Sequence, residues 1–235
     1  MRYLFLSDVH LSVGRPEVGR CFIEFLQSAD FKKADKAYIL GDLFDYWIGP
    51  RHIELADYQD VLKTLQEVTK RGQEVFFIPG NRDFMVGKEL TDATGVKVLK
   101  ETASVSIRDQ RIYLTHGDLL CTDDISYQSY RRVVRSGLVK SAVKHIPAGT
   151  GKTLARSLRG VSDYAVAQKP APVRSLVTKT VKGVFRRGYD IIICGHIHEA
   201  GEQRFGEKML YTLGDWSAAP VYLTCRDGVF GFNMS

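Results

Sequence analysis

The chain has 235 residues, 44% of them hydrophobic and 26% charged, with a net charge of +6; this composition excludes disordered and fibrous classes and fits one large α/β domain or a domain with a long insertion. No apolar run approaches the roughly 20 residues of a membrane-spanning helix, and the N-terminus lacks the charged start and apolar stretch of a signal peptide. Four scattered cysteines form no CxxC, which predicts reduced thiols in a cytosolic protein.

Tyr3 to Leu6 is a continuous apolar run that suits a strand buried on both faces, with Asp8 and His10 just past its end. Two positions apart in an extended chain point to one side, so the pair can address one ion. Pro16 and Glu17 suit the first turn of a helix reaching Ser28. Ala37 to Leu40 is the next strand, followed by Gly41-Asp42-Leu43-Phe44-Asp45 and an apolar loop, Tyr46 to Pro50. A helix from Leu55 to Lys70 has Val61, Leu62, Leu65 and Val68 as its buried stripe. Val75 to Ile78 is a third strand, ending at Gly80-Asn81-Arg82-Asp83. This repeated β-loop-α pattern puts chemistry-bearing residues after strands, where open parallel sheets place their ligands.

Gly87 to Thr94 reads as helix, and Ser104 to Ile107 and Gln110 to Leu114 as a hairpin whose second arm delivers His116-Gly117-Asp118. Thr122, Asp123 or Asp124 caps a helix running to about His145. Further helical segments follow at Lys152 to Arg159 and Val173 to Arg187. From Arg131 to Arg187 there are fourteen lysines or arginines against one acidic residue, Asp163, so the rest of the chain is net acidic. Ile191 to Cys194 is another buried strand, delivering Gly195-His196-Ile197-His198. The tail, Lys208 to Leu213, Val221 to Cys225 and Val229 to Phe232, reads as an antiparallel meander. His52 and His145 fall outside the motifs and read as surface residues, Cys194 as a packing residue, and Phe44 and Trp47 as core rather than pocket lining.

Each motif alone is weak, since Asp-x-His and Gly-Asn are common turn sequences. All five together, each ending an apolar run, point to a metal centre. Asp, Asn and His are oxygen and nitrogen donors that suit Mn(II), Fe(II), Mg(II) or Zn(II) over a soft thiolate site. Two such ions about 3.5–4 Å apart bind a water or hydroxide between them and clamp phosphoryl oxygens, with Asp42 as the natural bridge.

The set Asp-x-His, Gly-Asp-x-x-Asp, Gly-Asn-x-Asp, His-Gly-Asp and Gly-His-x-His resembles the calcineurin-like metallophosphoesterase superfamily. The resemblance implies a four-layer α/β/β/α sandwich with one metal at Asp8, His10, Asp42 and His198 and the other at Asp42, Asn81, His116 and His196. It casts Asp42, Asn81, Arg82 and His116 as the catalytic set, and Asp45, Asp83 and Asp118 as carboxylates that orient the ligands. Arg82 stands where many relatives have a histidine that protonates the leaving group. A phosphate leaving group, with a second pKa of about 6, needs little such help. A fixed guanidinium clamps it instead.

The stretches Leu40 to Gly49, Gly80 to Phe84, His116 to Asp124 and Leu213 to Trp216 further resemble the UDP-2,3-diacylglucosamine pyrophosphatase family of lipid A biosynthesis. That resemblance implies attack at the α-phosphorus, usually with manganese, giving UMP and 2,3-diacylglucosamine 1-phosphate. It implies a core at 1–122 and 188–235 and a basic helical cap at 123–187 that receives acyl chains. Asp123, Tyr127, Ser162, Lys169, Arg82 and His196 are its implied substrate contacts. The family's Gly-His-Thr-His-x-Pro is here Gly195-His196-Ile197-His198-Glu199-Ala200, which keeps both histidines. The expected partners are a nucleotide-lipid substrate and an anionic membrane surface, with no nucleic acid and no obligate protein, for an enzyme in the cytoplasm peripherally attached to the inner membrane. The rivals are a metallophosphoesterase acting on nucleic acid, a cyclic nucleotide or a phosphoprotein, and a non-catalytic scaffold, which would be expected to have lost ligands.

Overall fold

The computed structural model describes residues 1–12, 14–143 and 176–234. Two sheets stack face to face with helices outside, the expected α/β/β/α sandwich. In the first sheet β1 (Arg2–Leu6), β2 (Lys36–Ile39), β3 (Glu74–Phe77) and β4 (Lys97–Val98) run parallel, and the hairpin of β10 (Val221–Arg226) and β11 (Val229–Met234) extends it antiparallel beside β1. The second sheet has the order β5 (Thr102–Ile107), β6 (Gln110–Thr115), β7 (Ile191–Cys194), β9 (Lys208–Thr212) and β8 (Gly201–Phe205), with β6, β7 and β9 parallel. The tail is therefore not one meander. Its hairpin extends the first sheet, while β9 pairs parallel to β7 in the second, where buried β7 needs backbone hydrogen-bond partners on both edges.

Helices α1 (Pro16–Gln27), α2 (Ala29–Lys32), α3 (Gln59–Lys70) and α4 (Lys88–Thr94) are the first outer layer. Pro16 occupies the first turn of α1, where its missing N–H costs nothing. Val18, Phe22, Phe25 and Leu26 on α1 and Val61, Leu62, Leu65 and Val68 on α3 supply the buried stripes, each large apolar side chain contributing about 1.5–3 kcal/mol. The Leu55 to Lys70 helix begins later than its pattern suggests, after two 3-10 turns at Pro50–Glu54 and Ala56–Tyr58. His52 lies in the first of these and is fully buried, not on the surface, with Nδ1 3.0 Å from the Ile48 carbonyl oxygen.

After β6, Asp124 caps α5 (Ile125–Val134) by accepting the Tyr127 N–H at 3.0 Å, and α6 (Gly137–Val143) follows a break at Arg135 and Ser136. One continuous helix to His145 is thus two, as far as the described residues run. Helix α7 (Thr178–Arg186) lies on the C-terminal side of the expected cap. It packs Val181, Val184 and Phe185 on Ile192, Cys194 and Leu210 of the second sheet. It covers the second sheet on its outer face. The helix expected at Lys152 to Arg159, His145 and the contacts Ser162 and Lys169 lie outside the described residues.

Candidate metal centre

Six loops converge at one end of the sandwich, each following the C-terminal end of a parallel strand. From β1 come Asp8 and His10; from β2, Asp42 and Asp45; from β3, Asn81, Arg82 and Asp83. From β6 come His116 and Asp118, from β7 His196 and His198, and from β9 Asp215. The β1 and β2 loops stay paired beyond the strands, with the Asp8 N–H on Gly41 O at 3.1 Å and the His10 N–H on Asp42 O at 2.9 Å.

The local backbone is unusual at these residues. Among the described residues seven non-glycines have positive φ, and Arg108 and Asp227 among them sit in hairpin turns. The other five are candidate ligands: Asp8 (55°), His10 (55°), Asp42 (51°), His196 (75°) and His198 (60°). Left-handed conformations are tolerated best by Asp, Asn and His outside glycine, and such strain collects at functional sites. Gly41 (φ 86°) allows the β2 and β3 loops to touch, since a Cβ there would fall 2.6 Å from Gly80 Cα and 2.7 Å from His116 Nδ1. A Cβ on Gly195 would collide with the Asp8 carboxylate and Ser7 Oγ.

Two clusters of donor atoms result. In the first, Nε2 of His198 lies 3.4 Å from Asp8 Oδ1 and 3.3 Å from His10 Nε2. Asp8 Oδ2 is occupied, accepting from Ser7 Oγ at 2.5 Å and from the His196 N–H at 3.0 Å, while buried Oδ1 has no hydrogen-bond donor. In the second, Asn81 Oδ1 stands 2.7 Å from His116 Nε2 and 2.8 Å from His196 Nδ1, the two nitrogens being 3.2 Å apart. His116 Nδ1 donates to Leu40 O at 2.9 Å, which turns Nε2 inward, 3.7 Å from Asp42 Oδ1. Asp8, His10 and His198, and likewise Asp8, Asp42 and His116, each bring their ligating atoms within 4.8 Å of one another. A buried carboxylate oxygen without a donor and atoms with ligand-type lone pairs crowding one space fit divalent cations.

The charges agree with that fit. Burial works to raise the Asp8 carboxyl, but His198 Nε2 close to Oδ1 and the fields of His116, His198 and His10 hold it well below the usual carboxylate range. Burial also works against a charged His116, yet the Asp42, Asp8 and Asp118 carboxylates raise it to about 9. The negative field that draws a proton to His116 is the field that draws a cation. Burial holds His10 and His196 near 4, neutral and ready to ligate.

Around the donors lies a supporting shell. Asp83 takes backbone N–H groups from both neighbouring loops, and burial with the Asp42 charge pushes its carboxyl up to about 7. Arg82 sets Nε 3.8 Å from Asp42 Oδ2 and Nη1 3.7 Å from Asp45 Oδ1. Asp118 Oδ2 accepts from Tyr127 Oη at 2.8 Å and Arg131 Nε at 2.9 Å, tying α5 to the His116 loop. Tyr127, expected at the substrate, spends its hydroxyl on that bond, and its ring centre is 6.1 Å from that of His196. Asp123 is exposed just before α5.

Two contributors escape the sequence reading. Asp215 Oδ2 lies 3.2 Å from His198 Nδ1 and thereby directs Nε2 to the first cluster. Its Gly214-Asp215 pair reads as a turn, although it repeats the Gly-Asp ending of β2. Arg135 bonds Gly80 O at 2.8 Å and pairs with Glu101, joining α5 to the Asn81 loop.

Residues 1–200 match the family model described as calcineurin-like phosphoesterase. Over 230 residues the chain is 32% identical to the UDP-2,3-diacylglucosamine hydrolase of Histophilus somni strain 2336, spanning 97% of both. It is 33% identical over 232 residues to that of Haemophilus influenzae strain PittGG, again 97% of both. The hydrolase of the same name from Pseudomonas fluorescens Pf-5 is 35% identical over 219 residues, or 91% of this chain and 86% of that one. A solved archaeal phosphodiesterase superposes with a TM-score of 0.53 over 100% of both chains at 13% identity, a likeness of fold alone.

Proposed function

Because the chain belongs to the calcineurin-like phosphoesterase family, we propose that this hydrolase of phosphoester or anhydride bonds acts on UDP-2,3-diacylglucosamine, releasing UMP and 2,3-diacylglucosamine 1-phosphate. Relatives about a third identical over nearly the whole chain carry that substrate in their name. The observation that carries the reading is the pair of donor clusters with the Arg82 guanidinium beside them. Asp8, His10, Asp42 and His198 would hold one ion, and Asp42, Asn81, His116 and His196 the other, with manganese as our assignment from a donor set that also suits Fe(II), Zn(II) and Mg(II). Bound there, the ions supply Lewis acidity and an acidified water.

The chain's own residues do the rest. Asp42 presents a carboxylate whose Oδ1 is steadied by the Arg82 N–H at 2.9 Å. Arg82, half-buried, offers its guanidinium to a phosphoryl oxygen and offsets the charge that builds on the leaving phosphate. No side chain has to protonate that leaving group. Asp123, Ser162 and Lys169 are our candidates for the glucosamine phosphate, and the basic segment after Arg131 for an acyl-receiving cap that meets the anionic inner-membrane surface. The test is turnover of UDP-2,3-diacylglucosamine by the manganese-loaded protein in heavy-oxygen water. Release of UMP carrying the label supports attack at the α-phosphorus; label in the sugar phosphate overturns that position. Turnover of DNA, cyclic nucleotides or a generic phosphodiester in place of this substrate overturns the assignment.

A further inference from the structure

Beside the first donor cluster opens a cleft of about 360 Å³ whose lining includes Asp8, His10, His198 and Asp215 together with two guanidinium groups, Arg82 and Arg15. The two cations are differently placed. Arg82 already faces the carboxylates of Asp42 and Asp45. Arg15 makes no ion pair among the described residues; its hydrogen bond is from Nη2 to the His10 carbonyl oxygen, at 3.4 Å.

The sequence fixes Arg15 there. Preceding Pro16, it is kept out of the helical region and has φ −136° and ψ 66° as the residue before α1. Its own N–H closes a turn on Ser12 O at 3.1 Å, and its carbonyl accepts the Val18 N–H at 3.1 Å. A turn held at both ends thus carries the side chain back over the loop that bears Asp8 and His10.

A charge count says what it is for. Two divalent ions would balance Asp8, Asp42, Asp45 and Asp215, while Asp118 and Glu101 are paired with Arg131 and Arg135, leaving Arg82 and Arg15 as the cleft's arginines to face the substrate. A single phosphodiester brings one negative charge, and a diphosphate diester brings two. We propose that Arg15 is a positioning residue that takes the second phosphoryl group of a diphosphate diester, so that the site prefers diphosphates to single phosphodiesters. This rests on the substrate reading above. A guanidinium fork bonds phosphate oxygens in pairs, which a lysine ammonium does not.

The test is calorimetric binding of the α,β-methylene analogue of UDP-glucose, a diphosphate diester that cannot be cut at the bridge, and of the methyl ester of UMP, a single phosphodiester, to manganese-loaded wild type and Arg15→Ala. Arg15→Ala is expected to weaken the methylene analogue by about tenfold or more and the phosphodiester by less than about twofold, with Arg15→Lys in between. In turnover of UDP-2,3-diacylglucosamine, KM rises more than kcat falls. Equal losses for both ligands, or no loss for the analogue, overturn the proposal. If the analogue depends on Arg15 while wild type releases no UMP from the lipid substrate, the Arg15 contact stands and the substrate reading falls.

Discussion

The Asp83 carboxylate accepts the backbone N–H of Asp42 at 3.2 Å, and through the same Oδ1 that of Gly80 at 2.8 Å, while Oδ2 takes the Phe44 N–H at 3.1 Å. One fully buried side chain therefore sets the spacing between the loops that carry Asp42 and Asn81. In Asp83→Asn an amide NH2 replaces one acceptor, leaving at least one buried N–H facing a donor, at about 1–3 kcal/mol for each such group. The midpoint of thermal unfolding is expected to fall by several degrees, at about 2–4 °C per kcal/mol for a chain this long. Manganese bound per chain should fall with it. Unchanged melting and metal content would contradict the clamp.

Asp215 acts through His198. Removing it leaves the imidazole free to rotate or change tautomer, and carboxylates behind metal-bound histidines are worth about 10–100-fold in metal affinity. Asp215→Ala should weaken the manganese titration by that much, and Asp215→Asn by less, because its amide oxygen can still accept from Nδ1. Thermal stability of the metal-free protein should fall by much less, since the other bonds of Asp215, from the Ser217 N–H and Oγ, are local and exposed. Full manganese affinity in Asp215→Ala would show that His198 needs no such support.

Much of this site is legible in the sequence because each motif follows its strand at once, so a buried run and a ligand sit within a few residues of each other. Gly41-Asp42 after Ala37 to Leu40 is the plainest case. The parts that are not legible depend on partners far apart in the chain. Arg135 meets Gly80 O only because α5 folds over the β3 loop, and no local pattern encodes that. Asp215 looks like any Gly-Asp turn until β9 is known to lie beside β7. The cationic stretch also hides an apolar spacing, Val181, Val184 and Phe185, that belongs to the sandwich. His52 is buried with Nδ1 beside the Ile48 carbonyl and its ring against Tyr46 and Trp47, contacts that no motif marks.

Metal binding should release a proton. Against burial, the Asp42, Asp8 and Asp118 carboxylates keep His116 protonated up to about pH 9 in the free protein, and Nε2 must lose that proton to ligate. His10 and His196, held near 4 by burial, are already neutral. Affinity for manganese is therefore expected to rise with pH from neutrality to about 9, at up to about tenfold per pH unit, and to level off above. Titration calorimetry at pH 7, repeated in buffers of different ionisation enthalpy, should count about one proton released at this site. No buffer dependence would mean that His116 is not charged before the ion arrives.

The last prediction concerns the surface beyond the metal centre. Helices α5 and α6 expose Ile125 (75%), Val133 (62%) and Leu138 (86%). Isolated exposed apolar residues are ordinary. These three belong to the segment that begins the run of fourteen cations from Arg131 to Arg187. Each lysine or arginine near an anionic leaflet adds about 1 kcal/mol of attraction that fades beyond a Debye length, and the apolar side chains add burial at the headgroup boundary. No described helix is long and apolar enough to cross a membrane. A contact made by these cations is electrostatic, so it is expected to be sensitive to salt. The protein should float with phosphatidylglycerol-rich vesicles at low ionic strength and not with phosphatidylcholine vesicles. It should be released near 1 M salt, where the screening length shrinks to about 3 Å. Leu138→Glu should weaken flotation without lowering thermal stability, since that side chain has no packing to lose. A protein that stays in the soluble fraction with anionic vesicles at low salt would remove the membrane surface from its list of partners.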